Sequence, residues 1–264
     1  MRRFLRGTAK QAPQCSLADP DTIPVYINNR NRLSTMKEMI NWLLSAGTKK
    51  IIIVDNASSY PLLLEYYKNL PSGVVVEMLG RNGGPRIFWE MQMHLRQSTP
   101  YIVTDSDLVP DRDCPKDLVH QLNVLLHTNP YSLKVGAGLR IDDIPNVVES
   151  EKLNGWSAEE QKPYWSKRQG PRAFYAPVDT TFALYGNFNP EHSQSTQNLR
   201  MDFPYVMRHM PWYVTKETMS EEEKYYRSHT EIGPQGLTHP WSHNHHLFEP
   251  REEHPWKDNP KEVL

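Results

Sequence analysis

Tyr101-Ile102-Val103-Thr104-Asp105-Ser106-Asp107 is an apolar, β-branched run that stops in two aspartates separated by one residue. On an extended strand, positions i and i+2 face the same side. Two carboxylates brought together at the end of a buried strand repel each other, and a divalent cation relieves that repulsion. Hard cations such as Mg²⁺ and Mn²⁺ prefer oxygen ligands and bridge to phosphates. The stretch therefore points to a metal-phosphate site at the carboxyl end of a strand. Asp-x-Asp also occurs in solvated turns, but a turn aspartate needs no strand behind it, whereas a functional one gains from a rigid mount.

Outward from this strand the chain alternates. Ile23-Pro24-Val25-Tyr26-Ile27 reads as a first strand, followed by the polar turn Asn28-Asn29-Arg30-Asn31-Arg32. A helix comes next: Thr35 and Glu38 have capping-box spacing, Met36, Met39, Ile40, Leu43 and Leu44 form its apolar stripe, and Gly47 stops it. Lys50-Ile51-Ile52-Ile53-Val54 is the nearly continuous apolar run of a central parallel strand, and it ends at Asp55-Asn56-Ala57-Ser58. Residues 62–70 read as a helix, 74–79 as a strand, 87–97 as a helix, and 117–127, beyond the aspartates, as another helix. This βαβαβαβα order predicts an α/β fold, a Rossmann-like, mixed but mostly parallel sheet with helices on both faces. Ligands of such sheets bind outside the carboxyl ends of the strands. Three strand ends carry polar signatures: Asn28-Asn29-Arg30, Asp55-Asn56-Ala57-Ser58 and Asp105-Ser106-Asp107.

After about residue 130 the pattern loosens. Residues 133–141 read as a strand. Residues 145–172, with Trp156, Tyr164 and Trp165 among many charges, read either as a lid or binding loop or as a surface excursion with short helices. Residues 174–185 read as a strand interrupted at Val178-Asp179-Thr180-Thr181, and Ser220 caps a short helix running to about His229. The tail holds His239, His243, His245, His246 and His254. Clustered histidines can bind a borderline metal, but the flanking prolines and the lack of a nearby cysteine favour an extended polar arm.

The chain of 264 residues is 38% hydrophobic and 23% charged, which suits a globular protein with a sizeable core. Its formal net charge of −1 provides no global field to attract nucleic acid or an anionic membrane. Cys15 and Cys114 are too few for a disulfide framework or a four-cysteine zinc site. The 22 prolines and 13 tyrosines point to long ordered loops rather than a helical bundle. No signal-peptide segment follows the basic N-terminus, and no apolar run reaches the ~18 residues of a transmembrane helix. A cytoplasmic location, or one at the inner face of a membrane, is expected.

On these residues, positions 22 to about 215 resemble the GT-A glycosyltransferases, specifically the family 2 type. The resemblance rests on Pro24-Val25-Tyr26, Ile53-Val54-Asp55-Asn56-Ala57-Ser58, Asn82-Gly83-Gly84-Pro85-Arg86 and Asp105-Ser106-Asp107, in that order and spacing. It implies a GT-A fold, a nucleotide-diphosphate sugar donor (most often a UDP-sugar), a Mn²⁺ or Mg²⁺ ion, and a hydroxyl acceptor on a glycan, lipid or protein. It implies that Asp107 ligates the metal, while Asp105 contacts the metal shell or the ribose. By the same resemblance, Asp55 accepts from the base and Ile27 and Asn28 line the nucleotide pocket. Asn82, Gly83 and Arg86 would contact the nucleotide or the donor sugar, although a plain turn would also explain the glycines. A third metal ligand in such enzymes often comes from the C-terminal part. His209, in Arg208-His209-Met210-Pro211-Trp212, is the candidate, against the alternative of a histidine packed in the core or exposed on a loop.

An inverting transfer needs a base to deprotonate the acceptor. Asp179, flanked by apolar residues after Phe174-Tyr175, is the best placed, although a capping or turn aspartate would look the same. Asp142, Asp143 and Asp202 compete with it. The chain departs from the family in lacking a Glu-Asp pair at the usual base position. The expected organisation is a leader over 1–20, a GT-A domain over 21–230 and a C-terminal extension over 231–264. Within the domain, a donor half would run to about 130 and an acceptor half from there. Two rivals stand beside a glycosyltransferase. A sugar-phosphate nucleotidyltransferase would carry a glycine-rich loop after its first strand, and residues 28–32 contain no glycine. A non-catalytic nucleotide- or carbohydrate-binding module would need no pair of strand-end carboxylates. Hydrolase chemistry lacks a Gly-x-Ser-x-Gly elbow.

Overall fold

Runs that are apolar without alternation need cover on both faces. In the computed structural model, which describes residues 17–98, 100–130, 132–178, 181–186 and 198–229, such runs form the centre of one sheet. β1 (Val25–Asn29) and β2 (Ile51–Asp55) are buried along their whole length. β3 (Val74–Met78) is the edge, and β4 (Tyr101–Asp105) lies on the other side of β1. These four strands are parallel. The chain continues through β5 (Leu108–Pro110), β6 (Lys134–Gly136), β7 (Gly138–Leu139), β8 (Arg168–Gln169), β9 (Ala173–Tyr175), β10 (Ala183–Tyr185), β11 (Leu199–Met201) and β12 (Val206–His209). The nine-stranded sheet has the order β3-β2-β1-β4-β10-β6-β11-β9-β8, with β10 antiparallel to both of its neighbours. β5, β12 and β7 form a separate small sheet.

The seven α-helices are α1 (Ser34–Ser45), α2 (Pro61–Tyr67), α3 (Ile87–Glu90), α4 (Leu118–Thr128), α5 (Val147–Asn154), α6 (Ala158–Gln161) and α7 (Glu221–Ser228) among the described residues. Alternation along β1 sends Val25 and Ile27 to one face, where α1 buries Met36, Met39, Ile40 and Leu43 beside α4. Tyr26 points to the other face, against Ile87, Phe88 and Met93. The fold is therefore the mixed, mostly parallel α/β sheet with helices on both faces that the alternation predicts. Among the described residues no helix is long and apolar enough to cross a membrane.

Several local expectations fail for physical reasons. The helix expected over 87–97 is one turn of α3, a break at Gln92 with φ 53°, and a 3-10 turn (Met93–Arg96). The small core buries Ile87, Phe88 and Met93, positions that no single helical stripe can present together. The capping box at Thr35 does not form. Ser34 is the first helical residue, its N–H is taken by Glu222 of α7, and the Thr35 hydroxyl donates instead to Ser106 O at 2.6 Å.

The strand expected over 133–141 splits between the two sheets at Gly136-Ala137-Gly138. A Cβ on Gly138 would lie 2.6 Å from Met201 O and 2.8 Å from the Trp165 ring, so only glycine permits the crossing. Of the two readings of residues 145–172, the one with short helices holds: α5, α6 and a 3-10 turn (Lys162–Trp165) occupy them. Asp105 and Asp107 do not share one strand either. β4 stops at Asp105, and Ser106 and Asp107 turn the chain into β5.

Candidate active site

The parallel register aligns the three polar strand ends. Asn28 stands opposite both Val54 and Asp105, and Asn29 stands opposite Asp55. Asn28, almost wholly buried, accepts from Asn56 Nδ2 at 2.6 Å and donates to Pro85 O at 3.0 Å. Asn56 accepts from Gly83 N at 3.0 Å and donates to Gly84 O at 3.2 Å. Two asparagine side chains thus pin the 82–86 turn to the carboxyl edge of the sheet. They bring Pro85 to Asn28 and Gly83 to Asn56, while Asn82 Oδ1 accepts from Gly84 N at 3.1 Å within the turn and Arg86 stands at the exposed start of α3. Ile27, the remaining first-strand candidate, is fully buried in the larger core, and its backbone rather than its side chain reaches the edge.

Asp55 is fully buried. Its Oδ1 accepts from Ser58 N at 2.8 Å and its Oδ2 from the Tyr67 hydroxyl at 2.7 Å, while Asn29 Nδ2 donates to that hydroxyl at 2.8 Å. Burial, and then the adjacent Asp55 carboxylate, push the Tyr67 hydroxyl above its ordinary pKa, so it remains a donor. As placed, Asp55 holds the 55–58 turn from inside the protein.

The turn at Ser106-Asp107 carries the chain across to the small sheet. There β5 pairs with β12, with Leu108 opposite His209, and Met210 N donates to Asp107 O at 2.9 Å. His209 Nε2 lies 3.5 Å from Asp107 Oδ2. Burial opposes ionisation of the Asp107 carboxyl, but the His209 ring and the Arg32 guanidinium outweigh it and hold the group below the usual aspartate range. Asp107 Oδ1 and His209 Nδ1 are both shielded from solvent without a hydrogen-bond partner. An orphaned carboxylate oxygen beside an imidazole suits an incoming divalent ion, so these two residues fit the expected metal. Among the described residues, however, no three His, Cys, Asp or Glu side chains are gathered as a ligand set. Asp105, at the end of β4, is therefore not joined with the other two in a preformed triad.

His209 is held from behind. The Trp212 ring meets it edge-on at 4.8 Å, and Trp156 stacks on Trp212 at 4.5 Å. Ser150 Oγ donates to Trp212 O and accepts from Trp156 Nε1, the latter at 2.8 Å. Ser150 and Trp156 of the 145–172 segment thus back His209 through Trp212.

The site also contains residues that sequence reasoning left out. Arg32, buried, pairs with Glu223 and lies 3.8 Å from the centre of the Tyr226 ring. Glu222 accepts from Ser34 Oγ at 2.9 Å as well as from its N–H. The charged helix α7 buries Glu222, Glu223 and Tyr226 at positions i, i+1 and i+4. Carboxylates on the inner stripe of a short helix were the available signal that it meets buried cations. A cavity of about 270 Å³ opens here, with Asp107 and Arg32 in its wall.

Of the competing bases, Asp143 binds Arg208 at 2.5 Å and the Tyr213 hydroxyl at 2.6 Å. Asp142 pairs with Arg140, and Asp202 pairs with Arg168. Asp179 and the histidine-rich tail lie outside the described residues.

No family model and no curated protein matches this chain. Among solved structures it is similar to glucosyl-3-phosphoglycerate synthase from Mycobacterium tuberculosis in complex with phosphoglyceric acid. That match has 16% identity and a TM-score of 0.39, covering 62% of this chain and 56% of that one. The same enzyme in complex with Mn²⁺, UDP-glucose and phosphoglyceric acid matches at 16% identity and TM-score 0.39, covering 67% of this chain and 62% of that one. A further mycobacterial protein matches at 18% identity and TM-score 0.35, covering 55% and 52%. The chain thus spans less than two thirds of the length of these neighbours.

Proposed function

We propose that this chain is a metal-dependent, inverting glycosyltransferase that moves a sugar from a nucleotide-diphosphate sugar, a UDP-sugar by preference, to a hydroxyl on a glycan, lipid or protein. One observation carries the reading. The aligned ends of β1, β2 and β4 meet, at their carboxyl edge, an Asp107–His209 pair whose buried atoms have unused bonding capacity. That is where an open α/β sheet binds its ligand.

In this reading Asp107 and His209 hold Mn²⁺ or Mg²⁺, with Asp105 contacting the metal shell or the ribose. The bound ion would stabilise the charge that develops on the departing diphosphate. Asn28 and Asn56 fix the 82–86 turn, so that its backbone and the Asn82 and Arg86 side chains border the donor. Asp55 shapes the turn behind the nucleotide, and it would reach a base only if the Tyr67 hydroxyl gave way. Asp179 takes the proton from the acceptor hydroxyl. The test is release of nucleoside diphosphate from a panel of UDP-, GDP- and dTDP-sugars, with Mn²⁺ and with EDTA. Metal-dependent release from one donor is expected, and no release from any of them would remove the activity.

A further inference from the structure

The cavity beside Asp107 has a lining with a definite chemistry. At about 270 Å³ it lies just below the range of ligand pockets, which begins at ~300 Å³. It sits between the first turn of α1, the 210–220 segment and α7. Its charged walls are Arg32, Asp107, Glu222 and Glu223, one cation against three carboxylates. Arg32 is engaged by Glu223 and the Tyr226 ring while its Nε has no hydrogen-bond partner. Arg227, outside the lining, also pairs with Glu223, so Asp107 and Glu222 are the carboxylates that no arginine among the described residues pairs with. Asp107 is only 7% exposed, and its Oδ1 has no hydrogen-bond partner. Ser34, Thr35, Thr218 and Ser220 line the cavity with hydroxyls, and Met210 and Pro211 give it an apolar wall.

Such a lining discriminates by charge. The two negative charges of a nucleotide-diphosphate sugar cancel those of the divalent ion, so the cavity keeps its excess of carboxylate after both have bound. A phosphate or carboxylate entering it would lose water beside like charges, and the one cation of the lining, Arg32, is already ion-paired with Glu223. A hydroxylated ring meets the opposite situation. Its O–H groups can donate to the carboxylates. The Ser34 and Thr35 hydroxyls donate to Glu222 and Ser106 O and retain lone pairs to accept. Its C–H face suits Met210 and Pro211.

Building on the glycosyltransferase reading, we propose that this cavity is the acceptor subsite and takes an uncharged polyhydroxylated acceptor, a sugar or polyol, in preference to its phosphorylated or carboxylated counterparts. In the transfer, the acceptor O–H bond breaks and its oxygen bonds to the anomeric carbon. The bond from that carbon to the diphosphate breaks, its electron pair leaves with the nucleoside diphosphate, and the proton passes to the base.

The test is a melting-temperature series on the full chain, with and without UDP and Mn²⁺. Glucose and glycerol are compared with glucose 6-phosphate and glycerol 3-phosphate at matched concentrations. The UDP-Mn²⁺ shift by itself reads the donor site, and the added compounds read the cavity. The neutral compounds should bind about tenfold or more tighter than their phosphate esters. Equal or tighter binding of the esters, or no stabilisation by any of the four compounds, would overturn the proposal. Thr218 is exposed at the rim, and Thr218→Arg adds a cation there without touching the core. This variant should move the preference towards glucose 6-phosphate, and an unchanged preference would likewise overturn the assignment of this cavity.

Discussion

Asp107 and His209 face each other, Oδ2 to Nε2, at 3.5 Å across the pairing of β5 with β12. The ladder that opposes Leu108 and His209 sets this approach, and the Met210 N–H to Asp107 O bond closes it. If the pair holds a metal, His209→Gln should weaken Mn²⁺-supported UDP binding by at least about tenfold, the loss that even an outer partner of a metal ligand can bring. A Mn²⁺ titration of the UDP-induced melting shift measures it. An unchanged midpoint would take His209 out of the site.

Glu223 ties α7 to Arg32 and also binds Arg227 Nε at 2.6 Å. Removing one member of a buried ion pair leaves the other uncompensated, so Glu223→Ala should cost about 3–5 kcal/mol in urea unfolding. Burial alone would raise this carboxyl's pKa, but Arg32 and Arg227 hold it below the usual glutamate value. A depressed folded pKa contributes stability above the unfolded value of about 4.3 that is lost as pH falls through the folded value. Wild-type stability should therefore drop on acidification below roughly that pH, with a shallower slope in Glu223→Gln. Identical slopes would contradict the assignment.

Trp156 acts on His209 through Trp212 and Ser150. Trp156→Phe keeps a stacking ring but removes the donor to Ser150, so about 1 kcal/mol of stability should be lost. If Trp156 is a positioning residue, the Mn²⁺ midpoint should rise as well. A stability loss with an unchanged midpoint would make its role purely structural.

Asn56 places a donor against Asn28 Oδ1 and Gly84 O. Asn56→Asp puts a carboxylate oxygen against those two acceptors and should cost about 1–3 kcal/mol, the penalty for leaving buried polar groups unpaired. The 82–86 turn should then become open to trypsin at Arg81 or Arg86. Resistance equal to wild type would show that the turn is held by other contacts.

The N-terminal half of the sheet was largely legible because strands buried on both faces are apolar along most of their length, as residues 51–54 and 101–103 are ahead of their polar ends. Their shared carboxyl edge followed from the βαβ alternation. Two kinds of feature could not be placed from the local pattern alone. One is bonding between distant segments: Glu222 capping α1, Arg32 pairing with Glu223, and β12 bringing His209 to Asp107. The other is backbone geometry that the residue type conceals, such as the left-handed Gln92 that breaks the helix expected over 87–97. The capping-box spacing at Thr35 was a true local signal, but the Ser106 carbonyl claims that hydroxyl instead.

The most direct test compares wild type with Asp107→Asn in a thermal-shift screen of UDP, GDP, dTDP and CMP, each with and without Mn²⁺. Wild type should show a metal-dependent shift with one nucleotide. Asp107→Asn should melt cooperatively and show no such shift. Full metal-dependent binding in the variant, or no shift with any nucleotide in wild type, would contradict the donor site described here.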